Sequence, residues 1–188
     1  IKKCLSKNLK NNDDDDGYEY DLDSYLILNS ITRINNGHLL LNKIEKSIKL
    51  EPDLIDFELL LLCASSHGTL PNYLFWIKKL YNEKKKCEIS LLKRFTISVG
   101  NSDDRIFKYI LKNELHELER IPLSYSDIFR NIFTNNIPDK YILRRIKFIS
   151  KYLDLVPYFN EMITFSDSIN VTMKLMRYYY KKPIKDWS

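Results

Sequence analysis

The chain has 188 residues, 44% of them hydrophobic and 13% aromatic, and a formal net charge of +5 at pH 7. Its four Gly and six Pro are too few for an all-β protein built on tight turns or for a disordered chain, so the composition favours helix. No uninterrupted apolar stretch reaches about 18 residues, the length that a membrane-spanning helix needs, so we expect no membrane partner.

The cysteines indicate the compartment. Cys4, Cys63 and Cys87 are widely separated and form no C-x-x-C pair. An odd, scattered set of thiols is typical of a reducing compartment rather than of a disulfide framework. The chain also begins at Ile1 instead of Met and lacks a signal-like apolar region. We therefore expect a cytoplasmic or nuclear protein, which could be a fragment of a longer chain.

The N-terminal segment is acidic. Residues 13–23 carry seven Asp and Glu side chains, four of them consecutive from Asp13 to Asp16. Four consecutive Asp followed by Gly17 repel one another and have no apolar area to bury. We expect residues 1–23 to form a flexible charged segment in front of a folded array that spans residues 24–186.

A repeat of 33 residues organises this array. Six positions keep their apolar or basic character across three units without a gap: Leu26, Leu59 and Leu92; Ile31, Ala64 and Ile97; Leu40, Tyr73 and Ile106; Leu41, Leu74 and Phe107; Ile44, Ile77 and Ile110; and Lys46, Lys79 and Lys112. Two looser copies follow, in which Ile149 and Tyr179 continue the isoleucine position, and Lys151 and Lys181 the lysine position. The predicted units are 24–55, 56–88, 89–122, 124–156 and 157–186.

Each unit reads as two helices. Apolar spacings of three and four predict helices over residues 26–34, 40–48, 57–66, 72–81, 89–99 and 104–113. Gly37, Gly68 and Gly100 separate the two helices of a unit, where a positive φ can end the first one. Pro71 and Pro138 stand where a helix begins. The predicted fold is all-α, an α-solenoid of about five antiparallel helix pairs.

A helix pair cannot bury its own apolar face, so stacking the pairs must form one continuous core. The repeat register predicts which side chains belong to that core. They are Leu59, Leu62, Ala64, Leu74, Ile77, Phe95, Ile97, Phe107 and Ile110.

Residues 64–70 (ASSHGTL) and 73–77 (YLFWI) resemble a divergent ankyrin repeat. That family has a 33-residue unit with a small residue in the first helix, a Gly-bearing turn and an apolar cluster in the second helix. The resemblance covers residues 24–113 well and 124–182 weakly. The family's Thr-Pro-Leu-His opening and its Asp-Gly hairpin signal are absent, so we expect plain loops between pairs. Other helical repeats of similar period also fit. The resemblance implies an ankyrin-like scaffold for protein–protein interaction.

The sequence contains no common phosphate-binding, metalloprotease or hydrolase motif, so we expect no enzyme, cofactor or metal site. His116, Glu117 and Glu119 form only an ordinary surface group. Asp103 and Asp104 suit the first turn of a helix, where the helix dipole favours acidic side chains. His38 and His67 lie at the turns between helices, where a capping role is expected.

The C-terminal third is basic, with ten Lys or Arg against four Asp or Glu from Lys140 onwards. Like charges repel unless an anionic partner or solvent screens them. We predict a partner-binding surface on the second helices and the turns between helices. Its basic members are Lys140, Arg144, Arg145, Lys147, Arg177, Lys181 and Lys182, and its other predicted members are Trp76 and Tyr109.

Several of these residues have a second interpretation. The recurring lysines can complement the helix C-terminus instead of binding an anion. Trp76 and the run Tyr178-Tyr179-Tyr180 can be core or end-cap packing, or the tyrosines can stack RNA bases beside Arg177. The sequence favours a protein partner, which can be acidic, with RNA or a ribonucleoprotein as the alternative.

Overall fold

A computed structural model describes residues 22–47, 56–82, 91–114, 123–134 and 137–180. In these ranges the chain forms ten α-helices and a short 3-10 helix and has no β-strand, which confirms the all-α prediction. The predicted flexible segment 1–23 lies outside them, except that the first helix already includes residues 22 and 23. Contacts divide the chain into two compact units, an N-terminal unit (Ile1–Ser90) and a C-terminal unit (Leu91–Ser188).

The described part of the N-terminal unit consists of two helix pairs. The helices are α1 (Leu22–Arg33), α2 (Gly37–Ser47), α3 (Phe57–His67) and α4 (Leu70–Asn82). Within each pair the two helices contact each other, as α1 does with α2 and α3 with α4. Between the pairs, first helix packs on first helix and second helix on second helix. All four helices were predicted within a few residues of their observed ends.

The described part of the C-terminal unit consists of six α-helices and the 3-10 helix. The α-helices are α5 (Leu91–Ser98), α6 (Arg105–Asn113), α7 (Tyr125–Thr134), α8 (Asp139–Ile149), α9 (Phe159–Thr164) and α10 (Ile169–Tyr180). The 3-10 helix Val156–Tyr158 precedes α9 and packs on it. Helix α7 packs on both α5 and α9, and α8 packs on α10. The first helices of successive pairs, which are α5, α7 and α9, therefore contact one another in this unit too.

The glycine prediction is wrong in its mechanism. The positive φ between α1 and α2 belongs to Asn36, at 61°, and none of the described glycines has a positive φ. Gly37 and Gly68 are required by close packing instead. A Cβ on Gly37 would clash with the carbonyl oxygen of Ile31, and one on Gly68 would lie 2.9 Å from that of Thr32.

Helix starts follow the predicted chemistry more closely. The Asp56 carboxylate accepts a hydrogen bond from the Leu59 amide at 2.9 Å and so caps α3. Pro71 lies in the first turn of α4, and Pro138 immediately precedes α8. Asp104 immediately precedes α6, but its carboxylate makes no capping bond.

One repeat position is buried in all five pairs. It is occupied by Ile44, Ile77, Ile110, Ile149 and Tyr179, which are at most 9% exposed. Each side chain lies in the second helix of its pair, where it faces the core. This position is the strongest part of the predicted register.

The predicted core is correct in part. Ala64, Ile77, Phe95, Phe107 and Ile110 are buried, whereas Leu62, Leu74 and Ile97 are half-buried. Leu59 is wrong, because it is 41% exposed while Leu60 and Leu61 beside it are fully buried. The equivalent Leu26 is 50% exposed, so this recurring leucine lies on the outer side of the first two first helices, whereas its third copy, Leu92, is half-buried.

Candidate partner-binding surface

Helix α8 carries a basic stripe. Lys140, Arg144, Lys147 and Lys151 are separated by four, three and four residues, and all four side chains are exposed. Positions three and four apart lie on one face of a helix, and Lys151 extends the row just beyond its end. The opposite face of α8 holds the buried Ile142, Ile146 and Ile149. Because the apolar face of α8 packs against the core, its basic face is directed towards solvent.

Helix α10 adds further cations next to α8, on which it packs. Lys174 and Arg177 are exposed, and Tyr178 beside them is 36% exposed. The Lys147 ammonium of α8 lies 5.8 Å from the centre of the Tyr178 ring, which is within range of a cation–π contact. The two second helices therefore contribute to one basic surface.

The cations of this surface are not neutralised by neighbouring acids. Among the described residues, no carboxylate forms an ion pair with Arg144, Lys147, Lys174 or Arg177. The α10 sequence contains no acidic residue at all. The charge is therefore available to attract an anionic group from another molecule.

A pocket of about 160 Å³ opens between α8 and α10. Six residues line it: Leu143, Ile146, Lys147, Lys174, Leu175 and Tyr178. Ile146 and Leu175 are buried and form apolar wall, while the two lysines are exposed. The arrangement combines an apolar interior with positive charge at its opening, which suits the binding of an apolar group that has negative charge beside it.

Arg145 does not belong to this surface, contrary to prediction. Its side chain is only 2% exposed, and its guanidinium donates to the carbonyl oxygens of Val99 at 2.7 Å and Asn101 at 2.6 Å. It also donates to the Asp104 carboxylate at 2.7 Å. Arg145 therefore joins α8 to the end of α5 and the start of α6. Its positive charge is paired with the Asp104 carboxylate and does not contribute to the exposed basic surface.

Trp76 is also buried rather than exposed. It has no exposed surface, and its indole N–H donates to the Thr32 hydroxyl at 2.9 Å. The rings of Phe75 and Phe57 lie 4.9 Å and 5.8 Å away, centre to centre. The core interpretation of Trp76 is confirmed, and its prediction as a partner-facing residue is wrong. Tyr109, predicted with it, is half-buried in the C-terminal unit.

The tyrosine run divides in the same way. Tyr179 is 1% exposed and packs on Phe159 at 4.7 Å between ring centres. Burial, with a smaller contribution from Tyr178, raises the pKa of Tyr179 to about 12. Of these two tyrosines only Tyr178 can stack on a ligand. The predicted Lys181 and Lys182 lie outside the described residues, as do His116, Glu117 and Glu119.

Sequence reasoning missed a buried polar contact that joins successive helix pairs. The Asn72 amide of α4 donates to the carbonyl oxygens of Thr32 at 2.7 Å and Ile34 at 3.0 Å. Its oxygen accepts from the His38 backbone N–H at 2.7 Å. The last carbonyls of a helix lack hydrogen-bond donors within that helix. Asn72, which belongs to the next helix pair, is the donor for two of these carbonyls at the end of α1.

Arg145 has the equivalent role in the C-terminal unit, where it donates to backbone carbonyls at the end of α5. In both cases a side chain from a second helix bonds two carbonyls, two residues apart, at the end of the preceding pair's first helix. The only sequence signal is a polar residue at a position where the helical pattern predicts burial. That signal is too weak to separate such a residue from an exposed one.

Comparison with protein-family models, with curated proteins and with solved structures finds no match for this chain. Within the described ranges, every helix is too short or too polar to cross a lipid bilayer.

Proposed function

We propose that this chain is a non-enzymatic binding or scaffold module that acts through an ankyrin-like helical repeat surface in protein–protein interaction. The proposed partner presents an acidic surface, and the proposed compartment is the cytoplasm or the nucleus. The single observation that carries the proposal is the basic surface of α8 and α10, whose exposed cations have no carboxylate partner among the described residues.

The repeat pattern supports the scaffold part of this proposal. First helices contact first helices in each unit, and one isoleucine or tyrosine position is buried in every pair. An α-solenoid of antiparallel pairs would be built by such contacts, and it would leave the outer side chains free to suit a partner. The likeness of residues 64–77 to an ankyrin repeat agrees with this architecture.

The cost of keeping the cations together supports a partner. Four side chains of one sign at helical spacing repel each other in the free protein. An acidic surface would relieve that repulsion and would accelerate association by electrostatic attraction.

A specific observation favours RNA as the second candidate. Tyr178 is an exposed ring that lies close to Lys147 and next to Arg177 in the chain, a combination that can stack a base and hold its phosphate. RNA binding would weaken steeply as salt is added, because phosphate contacts release counterions. A protein interface with an apolar component would weaken less.

Charge reversal tests the proposal. In the variant R144E/K147E/R177E we expect recovery of protein partners from native lysate to be lost, while the urea midpoint changes little because exposed charges contribute little to stability. Arg145 is kept, since its loss would disturb folding. The matched control is K43E/K78E/K112E, which reverses three exposed lysines on other helices.

Nuclease treatment of the lysate separates the two candidate partners. Recovery that survives nuclease and is lost only in R144E/K147E/R177E supports the protein partner. Recovery abolished by nuclease supports RNA, and equal recovery by both charge-reversed variants would place the binding surface elsewhere.

A further inference from the structure

The pocket between α8 and α10 differs from the rest of the basic surface, because it is a concave apolar site within that surface. We propose that this pocket receives one large apolar side chain from an acidic segment of the partner protein, with carboxylates on either side of that side chain facing Lys147 and Lys174. This inference rests on the proposed function and names the partner segment that the surface recognises.

The volume of the pocket sets the size of the anchoring side chain. At about 160 Å³ it is close to engineered apolar cavities of about 150 Å³ that bind benzene. One aromatic ring or one branched aliphatic group therefore fits the pocket, whereas an indole is larger than the group that this volume matches. Burying such a group at the centre of an interface is the usual source of most of the binding free energy.

The chemistry of the lining selects the kind of anchor. Leu143, Ile146 and Leu175 present aliphatic carbon, and Tyr178 presents a ring. The remaining polar groups are the lysine ammonium ends and the Tyr178 hydroxyl. A nucleic-acid base carries several polar atoms on its edges, and these atoms would be left without hydrogen-bond partners against aliphatic walls. An apolar side chain has no such cost, so the lining favours a protein segment over RNA.

The two lysines select the neighbours of the anchor. Lys147 comes from α8 and Lys174 from α10, so positive charge flanks the pocket from both helices. Arg144 and Arg177 extend the charge further along each helix. Carboxylates placed before and after the anchor would therefore meet a cation on either side, and a basic segment with the same anchor would be repelled.

A library of random displayed peptides tests the inference directly on the full chain. Selection should enrich peptides that have one Phe, Leu or Ile flanked by Asp or Glu. The enriched peptides are then measured by fluorescence polarisation against three variants. L143W fills the pocket, K147M/K174M keeps the apolar stems of the lysines but removes their charge, and K43M/K78M is the matched control.

We expect L143W and K147M/K174M each to weaken binding by about tenfold or more, and K43M/K78M to leave binding unchanged. Added salt should weaken binding to the wild type but have little effect on K147M/K174M. Circular dichroism and the urea midpoint establish whether L143W is folded. If it is not, the smaller replacement L143F at the same half-buried position is the second pocket-filling variant.

Three outcomes would overturn the inference. Enriched peptides could lack acidic residues, they could bind L143W as well as the wild type, or an oligouridine probe could bind better than any enriched peptide. The proposed function fails separately, when R144E/K147E/R177E still recovers its partners from lysate. If that variant loses its partners while L143W retains them, only the pocket inference is wrong.

Discussion

Arg144 and Arg145 are adjacent in the sequence, yet they have opposite roles. A helix turns by about 100° per residue, so two neighbours point in different directions. Arg144 is exposed on the basic stripe of α8, whereas Arg145 is buried against Val99, Asn101 and Asp104. No property of the side chain itself distinguishes them, and only the packing of α8 decides which arginine can meet a partner.

This difference predicts unequal costs of truncation. Replacing Arg145 with Ala should lower the free energy of unfolding by about 3 kcal/mol, because it takes their arginine donor from two buried carbonyls and removes one of the two cations that contact Asp104. The cost should be at the lower end of the range for a buried pair, because Asp104 also contacts Lys108 at 3.3 Å. Replacing Arg144 with Ala should change that free energy by less than about 0.5 kcal/mol. Urea denaturation followed by circular dichroism measures both, and equal midpoints would contradict the assignment.

The burial of Asn72 and Arg145 could not be predicted from the sequence. Their burial depends on carbonyl groups that lie about one repeat away in the sequence, at the end of another helix. Periodicity reports which face of a helix is apolar, but it does not report which polar side chain finds a partner inside. The sequence leaves the burial of Trp76 open in the same way, because its N–H finds its partner, the Thr32 hydroxyl, 44 residues earlier in the chain.

At the scale of the element, periodicity predicted all six helices of the first three pairs with ends within a few residues. Apolar spacing and turn residues act on neighbouring residues of the chain, so the positions of the helices can be predicted from the sequence alone. Periodicity does not determine which face of α3 is buried. Leu59 to Leu62 are four consecutive leucines, and such a run has no polar side to mark its outer face. The tertiary contacts make Leu60 and Leu61 core and leave Leu59 outside.

Two neighbouring leucines therefore test the observed register of α3. Replacing Leu60 with Ala should lower the free energy of unfolding by about 2–5 kcal/mol, since a fully buried side chain is removed and leaves a cavity. Replacing Leu59 with Ala should cost under about 1 kcal/mol, because that side chain is already 41% exposed. Denaturant midpoints of the two variants check the order. A larger loss for Leu59 would restore the register that the repeat pattern alone predicted.

At the scale of the whole molecule, the two compact units contain different numbers of helix pairs. The described part of the N-terminal unit has two pairs, and that of the C-terminal unit has three. The 33-residue repeat predicts the pairs themselves, but it treats every junction between them alike and so gives no sign of a division after residue 90. That division follows from tertiary contacts, which a regular spacing of residues along the sequence does not report.

The count of pairs predicts how fragments of the chain behave. In a repeat array each pair contacts only its neighbours, so stability grows with the number of junctions, and about three repeats are usually needed for a stable fold. Among the described residues, the fragment 91–188 has two such junctions between its pairs, whereas the fragment 1–90 has one. We expect the fragment 91–188 to unfold cooperatively in urea with a helical circular dichroism spectrum. The fragment 1–90 should unfold at a distinctly lower urea concentration.

Single substitutions in the fragments connect this prediction to the contacts between pairs. Arg145→Ala should destabilise the fragment 91–188 strongly, because Arg145 spans the junction between its first two pairs. Asn72→Ala should do the same to the fragment 1–90 by removing the donor to Thr32 and Ile34. The exposed Asn82→Ala in α4 is the matched control and should have little effect. If the fragment 1–90 is as stable as the fragment 91–188, stability does not grow with the number of junctions, and contacts other than those between pairs must stabilise the two units.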